Sequence, residues 1–270
     1  MNVPERLNHC WSKVAQRKPL VYHVTNFVAA PYQADLCLAI GASPIMAPSE
    51  EEASEMVQAA DVVLVNIGTP TAQSMETIRT AMKTAADTGT PVVLDPVGYG
   101  ATARRIALVD EILQRYPVAI VKGNSAEIAL MAGCHGGLRG VDATGMCRSD
   151  NAVFRLARKY GTVVAATGKV DYVSDGNKVL EVHGGSDMME KITAGGCAVG
   201  SLLAAILGAS GDALAAAIAG LIAMGVASER AMEPGPGSFK TSIIDQLYGM
   251  SRTGLGEIEG RLRLQDRIAG

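Results

Sequence analysis

Five short runs in this chain are apolar on both faces, and each ends abruptly in polar or glycine residues. They are residues 20–24 (LVYHV), 61–67 (DVVLVNI, then Gly68-Thr69) and 91–94 (PVVL, then Asp95-Pro96). The other two are residues 118–121 (VAIV, then Lys122-Gly123-Asn124) and 162–166 (TVVAA, then Thr167-Gly168). A strand that is apolar on both faces must be covered on both, which is the situation of parallel strands between two helical layers. The polar residues at the strand ends fall where such sheets carry their ligand-binding loops. The pattern therefore predicts a three-layer α/β/α fold with a mostly parallel central sheet.

Helical patterns separate the strands. Ser49 and Glu52 have the spacing of a capping box ahead of Ala53, Met56 and Val57. Thr69-Pro70 reads as a cap and first-turn proline before Met75, Ile78, Met82 and Ala85, with Gly89 as the stop. Asn124 is placed to cap a helix carrying Ile128 and Met131, and Ser149 opens another that Gly161 closes. Asp175-Gly176 marks a hairpin over 170–183. From about Cys197 to Leu247 the chain is Ala-rich and helical, interrupted near Gly211 and at Pro234–Gly237. No linker-like segment divides it, so residues 1–270 read as a single domain.

With 48% hydrophobic and 19% charged residues, wholesale disorder is excluded. A net charge of −3 argues against a nucleic-acid-coating surface. The five cysteines contain no Cys-x-x-Cys pair, which disfavours a disulfide framework or a Cys-rich zinc site and suggests a reducing, cytoplasmic setting. The first twenty residues mix charges and lack the apolar core of a signal peptide. Residues 213–228 are apolar but short for a membrane span, so a buried core helix is expected and no membrane partner.

Candidate chemistry gathers at the strand ends. Thr193-Ala194-Gly195-Gly196-Cys197 leads into a helix, and the free N–H groups of a helix start suit an anion, with phosphate the obvious one. The alternative is a glycine pair that serves close helix packing. Cys197 in the first turn would have its thiol pKa lowered by the helix dipole, making it a nucleophile or a base; it would otherwise be an inert core cysteine. Asn124-x-x-Glu127 could order water around Mg²⁺ on a phosphate, or could simply cap its helix. Asp95 could serve the same ion, or a turn, and Lys122 could meet phosphate, although a solvated loop lysine is the simpler reading of that residue alone. Asn26, Met46 and residues 66–69 mix small polar and apolar groups, as a small-molecule pocket does. Neither a P-loop nor a Gly-x-Gly-x-x-Gly motif is present.

Taken together, PLVYHVTNFV, AIGASPIMA, VNIGT, LDPVGYGA, KGNSAEI, RGVD (139–142), TGKVDYVSDG, Gly196-Cys197 and GPGSF (235–239) resemble the hydroxyethylthiazole kinase family, in order, over residues 19–248. The resemblance implies a ribokinase-like fold and phosphorylation of 4-methyl-5-(2-hydroxyethyl)thiazole by ATP with Mg²⁺. It also implies a homotrimer with active sites near subunit interfaces. By the same resemblance, Asn26, Met46 and Ala194 contact the thiazole; Lys122, Thr167 and Gly196 contact ATP; Asp95, Asn124 and Glu127 organise the metal through water. Cys197 stands where related kinases carry an Asp base. Two positions depart from the pattern: Lys122 is usually Arg, which loses a bidentate fork, and Ala194 is usually Gly. If that backbone has φ > 0, Ala is strained there. A related kinase for another vitamin-precursor alcohol is the competing reading, and Cys197 in place of Asp speaks against it. A non-catalytic nucleotide-binding protein is a second, disfavoured by Asp95, Asn124, Glu127 and Cys197 together.

Overall fold

Along the first strand the side chains alternate between two cores. Val21 packs on one side, Tyr22 and Val24 on the other, and His23 turns back toward the first side to reach Ser201. The computed structural model describes residues 1–134, 148–231, 234–256 and 258–265, so the RGVD segment at 139–142 lies outside it. Among the described residues, six strands run parallel: β1 (Leu20–Val24), β2 (Ser43–Ile45), β3 (Val62–Asn66), β4 (Val92–Asp95), β5 (Ile120–Asn124) and β6 (Val163–Thr167). They lie in the order β2-β1-β3-β4-β5-β6. Three antiparallel strands extend the sheet beyond β6: β7 (Asp171–Ser174), β8 (Val179–Val182) and β9 (Leu262–Leu264).

Among the described residues, five helices cover one face: α1 (Val3–Arg17), α2 (Ala30–Ala39), α8 (Gly195–Ser210), α9 (Ala213–Arg230) and α10 (Pro236–Thr253). Five cover the other: α3 (Glu50–Ala59), α4 (Ala72–Thr88), α5 (Ala103–Arg115), α6 (Ser125–Met131) and α7 (Ser149–Tyr160). The expected three-layer α/β/α arrangement is the one observed. Helix α8 lies in the middle of its layer, close against β3. A Cβ on Gly208 would sit 2.9 Å from Val62 Cγ1, so only glycine permits this approach. Helix α9 is long and apolar enough to cross a membrane by length and composition, but most of it is buried. Its neighbours are α1, α8, α10 and β7, as expected of a core helix.

Local signals were partly misassigned. Helix α4 starts one turn-step later than Thr69-Pro70 suggests: Thr71 is the cap and closes a box with Ser74. Thr69 instead adopts φ 42° in the loop after β3. Ser49 caps α3 through the Glu51 N–H, so the box with Glu52 does not form. Ser149 lies inside α7, whose cap residue is Arg148. Cys134 is disulfide-bonded, against the expectation of reduced cysteines, while Cys10, Cys37 and Cys197 are free.

Candidate active site

The C-terminal ends of four adjacent strands aim polar side chains at the start of α8. Asn26, just past β1, donates from Nδ2 to Asn66 Oδ1 (2.8 Å) at the end of β3. Asn66 Nδ2 donates to Asp95 Oδ2 (3.0 Å) at the end of β4. Lys122 Nζ, in β5, donates to the same Asp95 oxygen (3.2 Å) and to the Gly196 carbonyl in the first turn of α8 (2.8 Å). Asn26, Asn66, Asp95 and Lys122 are all at most 5% exposed. The parallel register makes this possible, since Asn66 stands opposite Asp95 in the β3–β4 pairing.

Cys197 closes the chain of contacts at its other end. Its Sγ lies 3.9 Å from Asn26 Nδ2, and its carbonyl accepts from Gln33 Nε2 of α2 (3.0 Å). Gln33 is fully buried and also accepts from Thr25 Oγ1 (2.7 Å). Sequence reasoning missed Gln33; a glutamine on the buried side of an apolar helix was the available signal.

Burial pushes the Asp95 carboxyl up to about 6, although the Lys122 charge beside it pulls the other way. Burial works against the Lys122 charge too, but Asp95, Cys197 and Glu127 outweigh it and hold the ammonium above its ordinary value. The Cys197 thiol is likewise raised, by burial first and then by Asp95. The expected lowering by the helix dipole is therefore overturned: at neutral pH the group is a thiol, not a thiolate.

Helix α8 begins from an Ala194 in the left-handed region (φ 66°, ψ 6°), and no side chain caps it. Its first N–H groups are thus available to an anion. The φ > 0 condition raised by the sequence is met, so Ala194 carries strain that a glycine would not.

Beside this helix start opens a cavity of about 420 Å³ whose walls include Thr167, Asp171, Gly185, Gly196, Val199 and Met224. Thr167 Oγ1 donates to the Gly123 carbonyl (3.3 Å), tying the end of β6 to β5. Asp171 Oδ1 accepts from the Gly168 N–H (2.9 Å), and burial pushes its carboxyl up to about 6. Asp171 is a site-lining acid that the sequence reading did not single out.

Asn124 and Glu127 form a full capping box for α6: Asn124 Oδ1 accepts from the Glu127 N–H, and Glu127 Oε2 from the Asn124 N–H. Glu127 Oε1 accepts from the Gly98 N–H (2.7 Å). The capping box takes one lone pair of the Asn124 oxygen and one of Glu127 Oε2, and each oxygen keeps a second that could order water. Among the described residues no cluster of three His, Cys, Asp or Glu side chains could hold a metal directly. Two hard carboxylates, Asp95 and Glu127, near an anion site do fit Mg²⁺ that keeps its waters and arrives on phosphates.

Met46 is not brought into this assembly. It follows β2 at the far edge of the parallel sheet, half-buried, outside the cavity and the hydrogen-bonded chain. Of the other candidates, Ala194 starts α8 and Asn124 and Glu127 cap α6, while the remaining six divide into two groups that meet at Gly196. Asn26, Asp95, Lys122 and Cys197 form the buried chain, while Thr167 and Gly196 line the cavity.

This arrangement has known counterparts. The sequence pattern of the Hydroxyethylthiazole kinase family matches residues 11–253. The chain belongs to the hydroxyethylthiazole kinase family. It is 41% identical over 241 residues to the hydroxyethylthiazole kinase of Thermoanaerobacter pseudethanolicus, covering 87% of this chain and 91% of that one. It is 43% identical over 241 residues to the hydroxyethylthiazole kinase of Pyrococcus furiosus, covering 88% and 90%. The solved structure of the hydroxyethylthiazole kinase protein from Pyrococcus horikoshii superposes with a TM-score of 0.88 at 36% identity, covering 97% of this chain and all of that one. The family match takes in every candidate site residue from Asn26 to Cys197 and stops before β9.

Proposed function

We propose that this chain transfers the terminal phosphoryl group of ATP to the hydroxyl of 4-methyl-5-(2-hydroxyethyl)thiazole, in thiamine biosynthesis and salvage. The observation that carries the reading is the double position of Gly196. It lines the cavity that would take the nucleotide, its carbonyl is held by Lys122, and it adjoins Cys197. Nucleotide and alcohol would therefore meet across one turn of α8.

In this reading the adenosine portion occupies the cavity beside Thr167 and Val199. The phosphates lie over the uncapped N–H groups of Gly195, Gly196 and Cys197, with the buried Lys122 ammonium beneath them. Phosphoryl transfer depends mostly on positioning and charge stabilisation. Asn26, Ala194 and Met46 would position the thiazole alcohol, with Met46 reached only if the ligand extends to the β2 edge. The Cys197 thiol is protonated before reaction, so a strong base does not start the step; late in the transfer its sulfur can receive the hydroxyl proton only as its own proton passes to an oxygen of the transferred phosphate. Mg²⁺ would neutralise phosphate charge, held chiefly by phosphates and water that Asp95 and Glu127 order.

The same reading assigns residues 1–270 to one domain, places the enzyme in the cytoplasm and assembles it as a homotrimer. Phe27 (78% exposed) and Val28 (45%) stand next to Asn26, an apolar surface at the substrate end that a neighbouring subunit would cover. The test is an ADP-release assay with Mg-ATP and a panel of vitamin-precursor alcohols. Hydroxyethylthiazole is expected to give the highest kcat/KM; a hydroxymethylpyrimidine or pyridoxal that outperforms it would overturn the assignment.

A further inference from the structure

Part of the nucleotide-cavity wall is a glycine pair, Gly184-Gly185, with φ of 140° and 117°. Such backbone has no side chain to anchor it, so its position depends on what its polar groups and neighbours bind. Two elements hold it, the end of α9 and the segment around Arg261. The Gly185 N–H donates to Glu229 Oε1 (2.9 Å) at the end of α9. Arg261 grips that same carboxylate with both guanidinium arms, Nη1 to Oε1 (2.9 Å) and Nη2 to Oε2 (2.6 Å). The main chain of Arg261 accepts from the His183 N–H (2.8 Å), and its Nη1 also approaches the His183 carbonyl (3.4 Å). A Cβ added to Gly184 would lie 2.4 Å from Arg261 Nη1, so guanidinium and glycine backbone are packed face to face.

The segment that carries Arg261 is itself fixed. Leu262–Leu264 pairs antiparallel with β8, Ile258 and Leu255 are buried in the core, and the Leu255 N–H donates to Asn8 Oδ1 of α1 (3.1 Å). The family match ends at residue 253, ahead of this segment.

We infer that residues 258–265 act as a strap, and Arg261 as a positioning residue, that sets the Gly184-Gly185 wall for nucleotide binding through Glu229. The inference rests on the assignment of the cavity to ATP. Arg261 does not line the cavity; it acts on the nucleotide through Glu229 and the Gly185 N–H. The fork geometry matters, because one Glu229 oxygen must serve both Arg261 and Gly185 while the other is held by the second arm.

The test is a pair of binding titrations on the full-length protein, with ATP and separately with the thiazole alcohol, for Arg261→Ala, Arg261→Lys and Gly225→Leu. Gly225 lines the cavity and packs against the glycine pair, where a Cβ would already lie 3.5 Å from the Gly184 carbonyl carbon and the Gly185 nitrogen, so leucine there crowds both the wall and the nucleotide space. Arg261→Ala is expected to weaken ATP binding about tenfold, roughly the effect of losing one charge-assisted hydrogen bond. Arg261→Lys should fall between it and the parent, and thiazole-alcohol affinity and kcat should stay near the parent values. Unchanged ATP affinity in Arg261→Ala, with Gly225→Leu impaired, would overturn the strap and leave the cavity assignment standing. Equal loss of both ligands in Arg261→Ala would reduce the strap to general structure and also overturn the inference. Unchanged ATP affinity in both Arg261→Ala and Gly225→Leu would overturn the cavity assignment along with it.

Discussion

Lys122 and Asp95 form a fully buried ion pair, Nζ to Oδ2 at 3.2 Å, and the same ammonium fixes the first turn of α8 through the Gly196 carbonyl. The pair is not an isolated surface bridge of little worth. It sits in a chain that Asn66 continues to Asn26, so the ionisation of Asp95 and the position of the substrate-side amide are coupled.

That coupling sets a pH dependence. With Asp95 raised to about 6, its carboxylate form is lost as pH falls through that value, and the bonds from Asn66 and Lys122 weaken with it. The rate is expected to fall on the acid side with an apparent midpoint near 6. Asn66 donates to the charged form and so holds this value down; Asn66→Ala should move the acid limb to higher pH and lower turnover by about tenfold, the worth of one buried hydrogen bond to a charged group. Asp171 is also raised to about 6, and Asp171→Asn in the same pH–rate series separates the two. An acid limb that stays put in Asn66→Ala and vanishes in Asp171→Asn would assign the titration to Asp171 instead.

Much of this was legible in the chain, for identifiable reasons. Strands apolar on both faces announced themselves at Val62–Asn66 and Val163–Thr167, and glycine stops at Gly89 and Gly161 were read correctly because αL geometry has a strong sequence signal. The short edge strand Ser43–Ile45 and the late strand Leu262–Leu264 have three residues each and no burial pattern, so periodicity could not find them. In the site, Asp95, Lys122 and Cys197 were visible at strand and helix ends. Their contacts were not, because they depend on the strand order β3-β4-β5, which places residues distant in sequence side by side. The sign of the Cys197 shift was missed for a related reason: the dipole is local, but burial and the Asp95 charge come from tertiary packing.

His23 gives a second pH effect, on stability. It is 1% exposed, donates from Nδ1 to the Val21 carbonyl (3.0 Å) and accepts at Nε2 from Ser201 Oγ (3.1 Å), a neutral arrangement. Burial holds it down from 6.5 to about 4. The unfolded chain therefore binds a proton that the folded one refuses between these values, and stability falls as pH drops from about 6.5 toward 4. The loss attributable to His23 should reach roughly 3 kcal/mol at the low end. Urea unfolding across that range should show a shallower acid slope in His23→Gln than in the parent; identical slopes would remove His23 as the cause.

Ala194 pays for its left-handed backbone. Ala194→Gly is expected to stabilise the protein by about 1 kcal/mol, the αL penalty less the extra chain entropy of glycine. Turnover should stay near the parent, since α8 keeps its start. Denaturant melts would show a higher midpoint at unchanged slope; a lower midpoint would mean that the methyl packing of Ala194 outweighs the strain.

Cys197 separates chemistry from packing. An Asp at this position would lie near Lys122 and could accept the hydroxyl proton, so Cys197→Asp is expected to stay folded and active. Cys197→Ala should lose most, but not all, turnover, because phosphate positioning remains. Steady-state kinetics with thermal melts decide the matter: a badly destabilised Cys197→Asp beside a fully active Cys197→Ala would take Cys197 out of the mechanism.

The most direct measurement follows both products at once in a single reaction of purified protein with Mg-ATP and hydroxyethylthiazole, using chromatography for ADP and phosphorus NMR for the thiazole ester. ADP and hydroxyethylthiazole phosphate should accumulate in equal amounts, and ADP should stop appearing when the alcohol is left out. ADP formed at the same rate without the alcohol, or no phosphate ester in its presence, would contradict the assignment of α8 and its two flanking sites to phosphoryl transfer.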